Sequence, residues 1–184
     1  MVNSAFLSMQ DTALVIIDVQ EKLFRLMQEK EKLLDNLQRL IQGARVLGLP
    51  IILTEQYPQG LGPTLPEIIS LLPGVKPLPK RVFSCYRDGQ FRKEVEALSR
   101  KQVLITGIET HVCVYQTAID LLNTGYGVHV VTDCVASRTA ENKTLGLQRM
   151  NNAGAKLTGM EMALFELLEI AEGERFKAIS RIVK

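Results

Sequence analysis

This chain of 184 residues has no tryptophan, two histidines and three cysteines. It has no long hydrophobic run either. The longest uninterrupted apolar stretch, Ala13 to Ile17, is far short of the roughly 20 residues that span a bilayer, so no membrane helix and no membrane partner is expected. A dominant charge is also missing. Twenty-two Lys and Arg stand against twenty Asp and Glu, a net of +2 with the two signs interspersed. Counterion release on a nucleic acid would be weak, and nucleic acid is not expected as the main ligand. The first dozen residues lack a basic segment followed by a long apolar one, so no secretory signal is read and a cytoplasmic location is the expectation. Cys85, Cys113 and Cys134 form neither an even disulfide framework nor a CxxC pair, and His111 and His129 lie too far apart for a zinc motif. Reduced thiols, no metal and no cofactor are the expectation.

What is present is a globular composition, 46% hydrophobic and 23% charged, of a length that suits a single domain over residues 1–184. Two segment types alternate. Ala13–Asp18 is a short, β-branched apolar run ending in a charge, and Pro50–Thr54, Gln102–Gly107 and Gly127–Asp133 repeat that form, as strands buried on both faces do. Weaker strands are read at Val75–Lys80 and Ala155–Thr158. Between the strands, Leu33, Leu34, Leu37, Leu40, Ile41, Ala44 and Leu47 recur at spacings of three and four, the stripe of an amphipathic helix. Similar stripes run through Phe91, Val95 and Leu98, through Val114, Ala118, Leu121 and Leu122, and through Leu145, Met150 and Ala153. A βαβα order with right-handed crossovers implies an open parallel sheet of five or six strands with helices on both faces. The proline-rich stretch from Tyr57 to Pro79 is too apolar for a linker and reads as an ordered loop beside the site.

In such sheets ligands bind beyond the carboxyl ends of the strands, where strand order reverses. That rule selects Asp18, Thr54 to Gln56, Lys80, Glu109 to Cys113, and Asp133. Asp18 closes an apolar run, where a dry setting suits a carboxylate to proton transfer; a helix cap or a surface carboxylate is the alternative. Cys113 follows a strand and opens a helix, where free N–H groups and the helix dipole favour a thiolate; the alternative is an inert buried cysteine, the reading preferred for Cys85 and Cys134. Lys80 could orient a nearby carboxylate, or be a solvated loop charge. His129 alternates with valines as a wall residue would, and His111 is not obviously able to turn back onto Cys113.

Together, Asp18 in LVIIDVQ, Lys80 in PKRVFSC and Cys113 in GIETHVCV resemble the isochorismatase-like cysteine hydrolase superfamily. TDCVASR matches that family's segment after the fifth strand, and LTEQYPQGLGPT and FKAISRIVK resemble its isochorismatase domain-containing subgroup. The resemblance implies a three-layer α/β/α fold around a six-stranded parallel sheet, a catalytic Asp18, Lys80 and Cys113, and a cis Ile108–Glu109 peptide. It also implies an oxyanion hole formed by the N–H groups of Glu109 and Cys113, and a homo-oligomer. An Asp and two His that serve nicotinamidases as metal ligands are replaced here by Thr54-Glu55-Gln56-Tyr57-Pro58. True isochorismatases act on a vinyl ether without a nucleophilic cysteine, whereas Cys113 is present. The expectation is a metal-independent hydrolase of a small amide, carbamoyl or related C–N bond. Gln56, Tyr57 and Phe83 are candidate substrate-pocket residues. A non-catalytic binding protein and a vinyl-ether hydrolase are the alternatives.

Overall fold

The computed structural model describes residues 6–184. In chain order the elements are β1 (Thr12–Ile17), α1 (Glu21–Phe24), α2 (Lys30–Leu47), β2 (Ile51–Gln56), α3 (Pro58–Leu61), α4 (Pro66–Ile69), β3 (Leu78–Lys80), α5 (Gly89–Ala97), β4 (Gln102–Ile108), α6 (Tyr115–Asn123), β5 (Gly127–Ala136), α7 (Ala140–Asn152), β6 (Lys156–Thr158), α8 (Met160–Leu168) and α9 (Gly173–Ile182). A tight turn over Cys85–Arg87 precedes α5, and a π turn over Thr110–Val114 precedes α6. The six strands form one parallel sheet in the order β3-β2-β1-β4-β5-β6.

Period-two alternation along each strand splits the core into two layers. Leu14 and Ile16 of β1, with Leu53, Leu104 and Val131, pack beneath α2, α8 and α9. Their neighbours Val15 and Ile17, with Val103, Ile105 and Val130, pack beneath α5, α6 and α7. Both faces of the central strands are therefore apolar, which is why the strands read as continuous hydrophobic runs.

Four differences from the sequence reading matter most, the first being that β2 runs on to Gln56, so Thr54 to Gln56 lie within that strand and not beyond its end. β3 is shorter than Val75–Lys80, because Pro77 and Pro79 limit the backbone donors it can offer a ladder. β5 continues to Ala136, so Asp133 lies within a strand and not beyond its end. The loop from Tyr57 carries the short helices α3 and α4, each with a proline in its first turn. The apolar C-terminal segment is largely consumed within the chain. Ala163, Leu164, Leu167, Leu168 and Ile179 are buried and Phe176 and Ile182 pack beside them, leaving Met162, Phe165 and Ile170 exposed.

Chain progression from β1 runs outward to β2 and β3, then crosses to β4, so strand order reverses between β1 and β4. Gly107 lets these two strands close up at that point. Its φ is +109°, and a Cβ there would stand 2.1 Å from the carbonyl oxygen of Ile17, a conformation and an approach that only glycine tolerates.

Candidate active site

Asp18 leaves β1 in the left-handed conformation, with φ at 55°, which turns its side chain inward at the point of strand reversal. The carboxylate is fully buried and both oxygens are held. Thr54 Oγ1 donates to Oδ1 at 2.7 Å, and Lys80 Nζ donates to Oδ2 at 2.6 Å. Two buried charges are tolerated when they pair and their remaining valences are met. Lys80 meets that condition: it also donates to Gln56 Oε1 at 2.7 Å and lies 3.3 Å from the carbonyls of Val82 and Phe83. Burial alone would lower its pKa, but the Cys85, Asp18 and Cys113 groups around it outweigh burial and raise it, so the ammonium stays charged.

Cys113 sits in the π turn, where irregular i→i+5 hydrogen bonding accompanies functional positions more often than chance. The Ile108–Glu109 peptide that enters the turn is cis. The carbonyl of Glu109 accepts from Val112 N and Val114 N at 3.0 and 3.3 Å. Its carboxylate pairs with Arg138 Nε at 3.0 Å, and His111 Nδ1 lies 3.0 Å from Ser137 Oγ. The segment after β5 thus clamps the turn from outside. Helix α7 backs it at close range through Gly146, where a Cβ would come within 3.0 Å of the His111 Cα.

Burial first, and the charge of Asp18 second, raise the Cys113 thiol well above its ordinary pKa, against a smaller opposing pull from Lys80. This corrects the expectation of a standing thiolate at a helix start. A second anion beside a buried carboxylate is penalised more than the nearby N–H groups and the ammonium repay. The shift favours the thiol form, and the Asp18 carboxylate is the anion set beside it.

Of the pocket candidates, Gln56 serves Lys80 directly, and its Nε2 donates to the carbonyl of Arg81 at 3.2 Å. Phe83 supplies a carbonyl to Lys80 while its ring is exposed. Tyr57 lies under the Arg81 guanidinium, 4.4 Å from its ring centroid. Strand-end position selects Thr54 without saying what it does, and sequence reasoning passes over Gln20 and Cys85, which also belong here. Thr54 holds Asp18. Gln20 ties down the loop after β2, its Nε2 donating to the carbonyls of Gln56 and Gly62 at 3.0 and 2.6 Å and its Oε1 accepting from Gln56 N at 2.8 Å. Cys85, expected to be an inert core residue, lies against the Asp18–Lys80 pair with Sγ 3.7 Å from Thr54 Oγ1, and its N–H donates to Thr117 Oγ1 at 2.9 Å. The pairing of Ile17 with Thr54 is what brings Thr54 alongside Asp18, and cross-strand register is set by the assembled sheet.

Among the described residues no group of three or more His, Cys, Asp or Glu is placed to hold a metal ion. At the strand end where the resemblance would put a ligand set, the Glu55 carboxylate is engaged by Thr64, accepting from its N–H at 2.7 Å and its hydroxyl at 2.8 Å.

A parallel α/β/α sandwich with a buried Asp–Lys pair facing a cysteine turn at the strand reversal defines an isochorismatase-like protein. The Isochorismatase domain model matches residues 12–162, and the chain belongs to that family. It is 38% identical to the secreted isochorismatase effector Isc1 of Phytophthora sojae, over 94% of this chain and 84% of that one. It is 39% identical to mouse isochorismatase domain-containing protein 2A, over 95% and 84%. Among solved structures, the MAR1 ribonuclease of Caenorhabditis elegans superposes with a TM-score of 0.92 at 34% identity, over 97% of this chain and 92% of that one. YcaC from Pseudomonas aeruginosa, described with hexane-2,5-diol and covalent acrylamide, gives 0.91 at 29%, over 97% and 92%. The YcaC gene product of Escherichia coli, described as an octameric hydrolase of unknown specificity, gives 0.93 at 27%, over 99% and 91%.

Proposed function

We propose that this protein is a metal-independent cysteine hydrolase that cleaves a small amide, carbamoyl or related C–N bond through a thioester on Cys113. The observation that carries the proposal is the buried Asp18–Lys80 pair at 2.6 Å, set against a cysteine whose proton the same carboxylate influences. Asp18 accepts the thiol proton as Sγ attacks the substrate carbonyl, and the backbone N–H groups of Glu109 and Cys113 stabilise the tetrahedral oxyanion. Collapse breaks the C–N bond, and Asp18 returns its proton to the departing amine. Asp18 then deprotonates a water that attacks the thioester, freeing the acid and restoring the thiol. Lys80 keeps its charge throughout and fixes the Asp18 carboxylate through its hydrogen bond to Oδ2.

Covalent acrylamide on the Pseudomonas aeruginosa YcaC is in keeping with a reactive nucleophile in this fold, since acrylamide alkylates thiols. A small-molecule substrate reached by way of the loops bearing Gln56, Tyr57 and Phe83 completes the reading. A homo-oligomer is part of it too: the Escherichia coli neighbour is an octamer, and Phe6, Met162, Phe165 and Ile170 leave apolar surface outside. So is a cytoplasmic location, consistent with three unpaired cysteines; among the described residues no helix is long and apolar enough to cross a membrane.

The test is a screen of small amides, ureides and carbamates with isochorismate and RNA as comparators, followed by mass spectrometry of acid-quenched enzyme. A substrate-derived acyl adduct on the Cys113 peptide supports the proposal. The name of the Phytophthora relative favours vinyl-ether hydrolysis as the second reading. Turnover of isochorismate that survives Cys113→Ala would establish that reading instead.

A further inference from the structure

Thr54 grips Asp18 twice. Its carbonyl accepts from Asp18 N at 3.2 Å, and its hydroxyl reaches Oδ1 at 2.7 Å. That hydroxyl has a single proton, and an ionised carboxylate can only accept, so Thr54 is the donor to Asp18. Its second contact, 3.7 Å from Cys85 Sγ, must then run the other way, with the Cys85 thiol donating. Burial favours this direction, pushing the Cys85 thiol up to about 11, against an opposing pull from Lys80, so its proton stays on. Cys85 is itself fixed by its N–H to Thr117 Oγ1, on helix α6 just beyond the cysteine turn. Close by, Asp120 of the same helix accepts from Ser84 Oγ at 2.7 Å and pairs with Arg87 Nε at 2.7 Å. A buried polar chain therefore runs from α6 through Cys85 and Thr54 to Asp18, which in turn acts on Cys113 at the head of α6.

We propose that Thr54 is a positioning residue of this site: its hydroxyl, donating to Asp18 and accepting from Cys85, sets the orientation and basicity of the carboxylate that takes the proton from Cys113. The inference rests on the reading of Asp18 as the base. With Lys80 fixing one oxygen and Thr54 the other, the carboxylate cannot rotate about its last bond. Without the Thr54 donor it would turn more freely and bind a proton more tightly.

The test needs no substrate: the rate of Cys113 carbamidomethylation by iodoacetamide is followed against pH in folded wild type and variants, checked by circular dichroism. Thr54→Val, which keeps the shape and removes the donor, should slow the plateau about tenfold and move the acid inflection up by about one pH unit, the scale of one hydrogen bond to a charged group. Thr54→Ser, which keeps the donor and loses the methyl, should hold the wild-type inflection. A packing role predicts the reverse order, and a wild-type profile for Thr54→Val with a displaced one for Thr54→Ser overturns the proposal. If Thr54→Val does not fold, the serine variant decides alone, an unmoved inflection supporting and a shifted one refuting. Asp18→Asn separates the two levels of inference. An acid inflection that persists in it defeats the base assignment, whereas loss of the inflection there alongside an unaffected Thr54→Val defeats only the role of Thr54.

Discussion

Two places in the molecule bring together an aspartate, a lysine and a cysteine near the carboxyl ends of parallel strands, and they have nothing else in common. At the reversal between β1 and β4, Lys80 meets Asp18 at 2.6 Å with both side chains buried, and Cys113 lies in a turn outside the ladder. Toward the end of β5, Asp133 Oδ1 instead accepts from Met160 N at 2.9 Å, the first residue of α8, and acts as that helix's cap. Among the described residues Lys143 forms no ion pair; burial lowers its pKa, opposed by Glu29 and Asp133. Cys134 is sealed within the core layer beneath α2, and burial holds its pKa far above the ordinary value. The cavity there, about 120 Å³ and lined by Lys32, Asp133 and Lys143 among others, does not include the cysteine. Residue types alone do not make a site. What differs is that at the first place a buried ammonium holds the carboxylate beside the cysteine turn, and at the second a helix end has claimed it.

The largest expected contrast is in turnover. Cys113→Ala should reduce it by about three orders of magnitude or more, the scale of removing a covalent nucleophile. Cys134→Ala should leave kcat within about twofold of wild type, since that thiol touches no reacting group. Steady-state kinetics on the substrate found by the screen checks both. Next is stability. Lys80→Met strands the buried Asp18 carboxylate and should cost about 3–5 kcal/mol, read from urea denaturation midpoints. A loss below about 1 kcal/mol would mean that the pair contributes little to the fold.

Much of this contrast is legible in the amino-acid pattern. Asp18 after five apolar residues, Lys80 after a proline-stiffened segment and Cys113 between a strand and a helix each mark a strand end, so the layer order follows from pattern, while the choice of these three among the strand-end polar groups comes from the family resemblance. Local pattern does not reveal register or spent valences. Thr54 matters because β2 pairs with β1 at that level, and Gln20 because the loop after β2 folds back onto it. Asp133 misleads for the matching reason. It ends an apolar run in sequence, while the ladder continues for three more residues and α8 takes its oxygen. The protonation state of the Cys113 thiol is hidden too, because a helix start is visible in sequence and the desolvation around it is not.

A smaller effect belongs to β5 alone. Burial first and Lys156 second lower the His129 pKa from 6.5 to about 4, so it is neutral in the fold while an unfolded chain would protonate it below about 6.5. Between those values the unfolded state binds more protons, so this contribution to stability is lost as pH falls from about 6.5 to about 4. Denaturation midpoints across that range should decline in wild type and decline less in a folded His129→Gln variant. The smallest effects distinguish the unpaired lysine from the capping carboxylate. Asp133→Ala should cost about 1 kcal/mol for the lost cap, and Lys143→Met about 0.5 kcal/mol or less, again by denaturation.

The central claim is that Asp18 activates Cys113, and limited iodoacetamide labelling with peptide mapping tests it most directly. In native wild type at neutral pH, carbamidomethylation should fall on Cys113 ahead of the fully buried Cys85 and Cys134, and in folded Asp18→Asn the Cys113 label should drop at least tenfold, as expected when a general base is removed. Equal labelling of all three thiols, or an Asp18→Asn variant that labels as fast as wild type, would contradict the account.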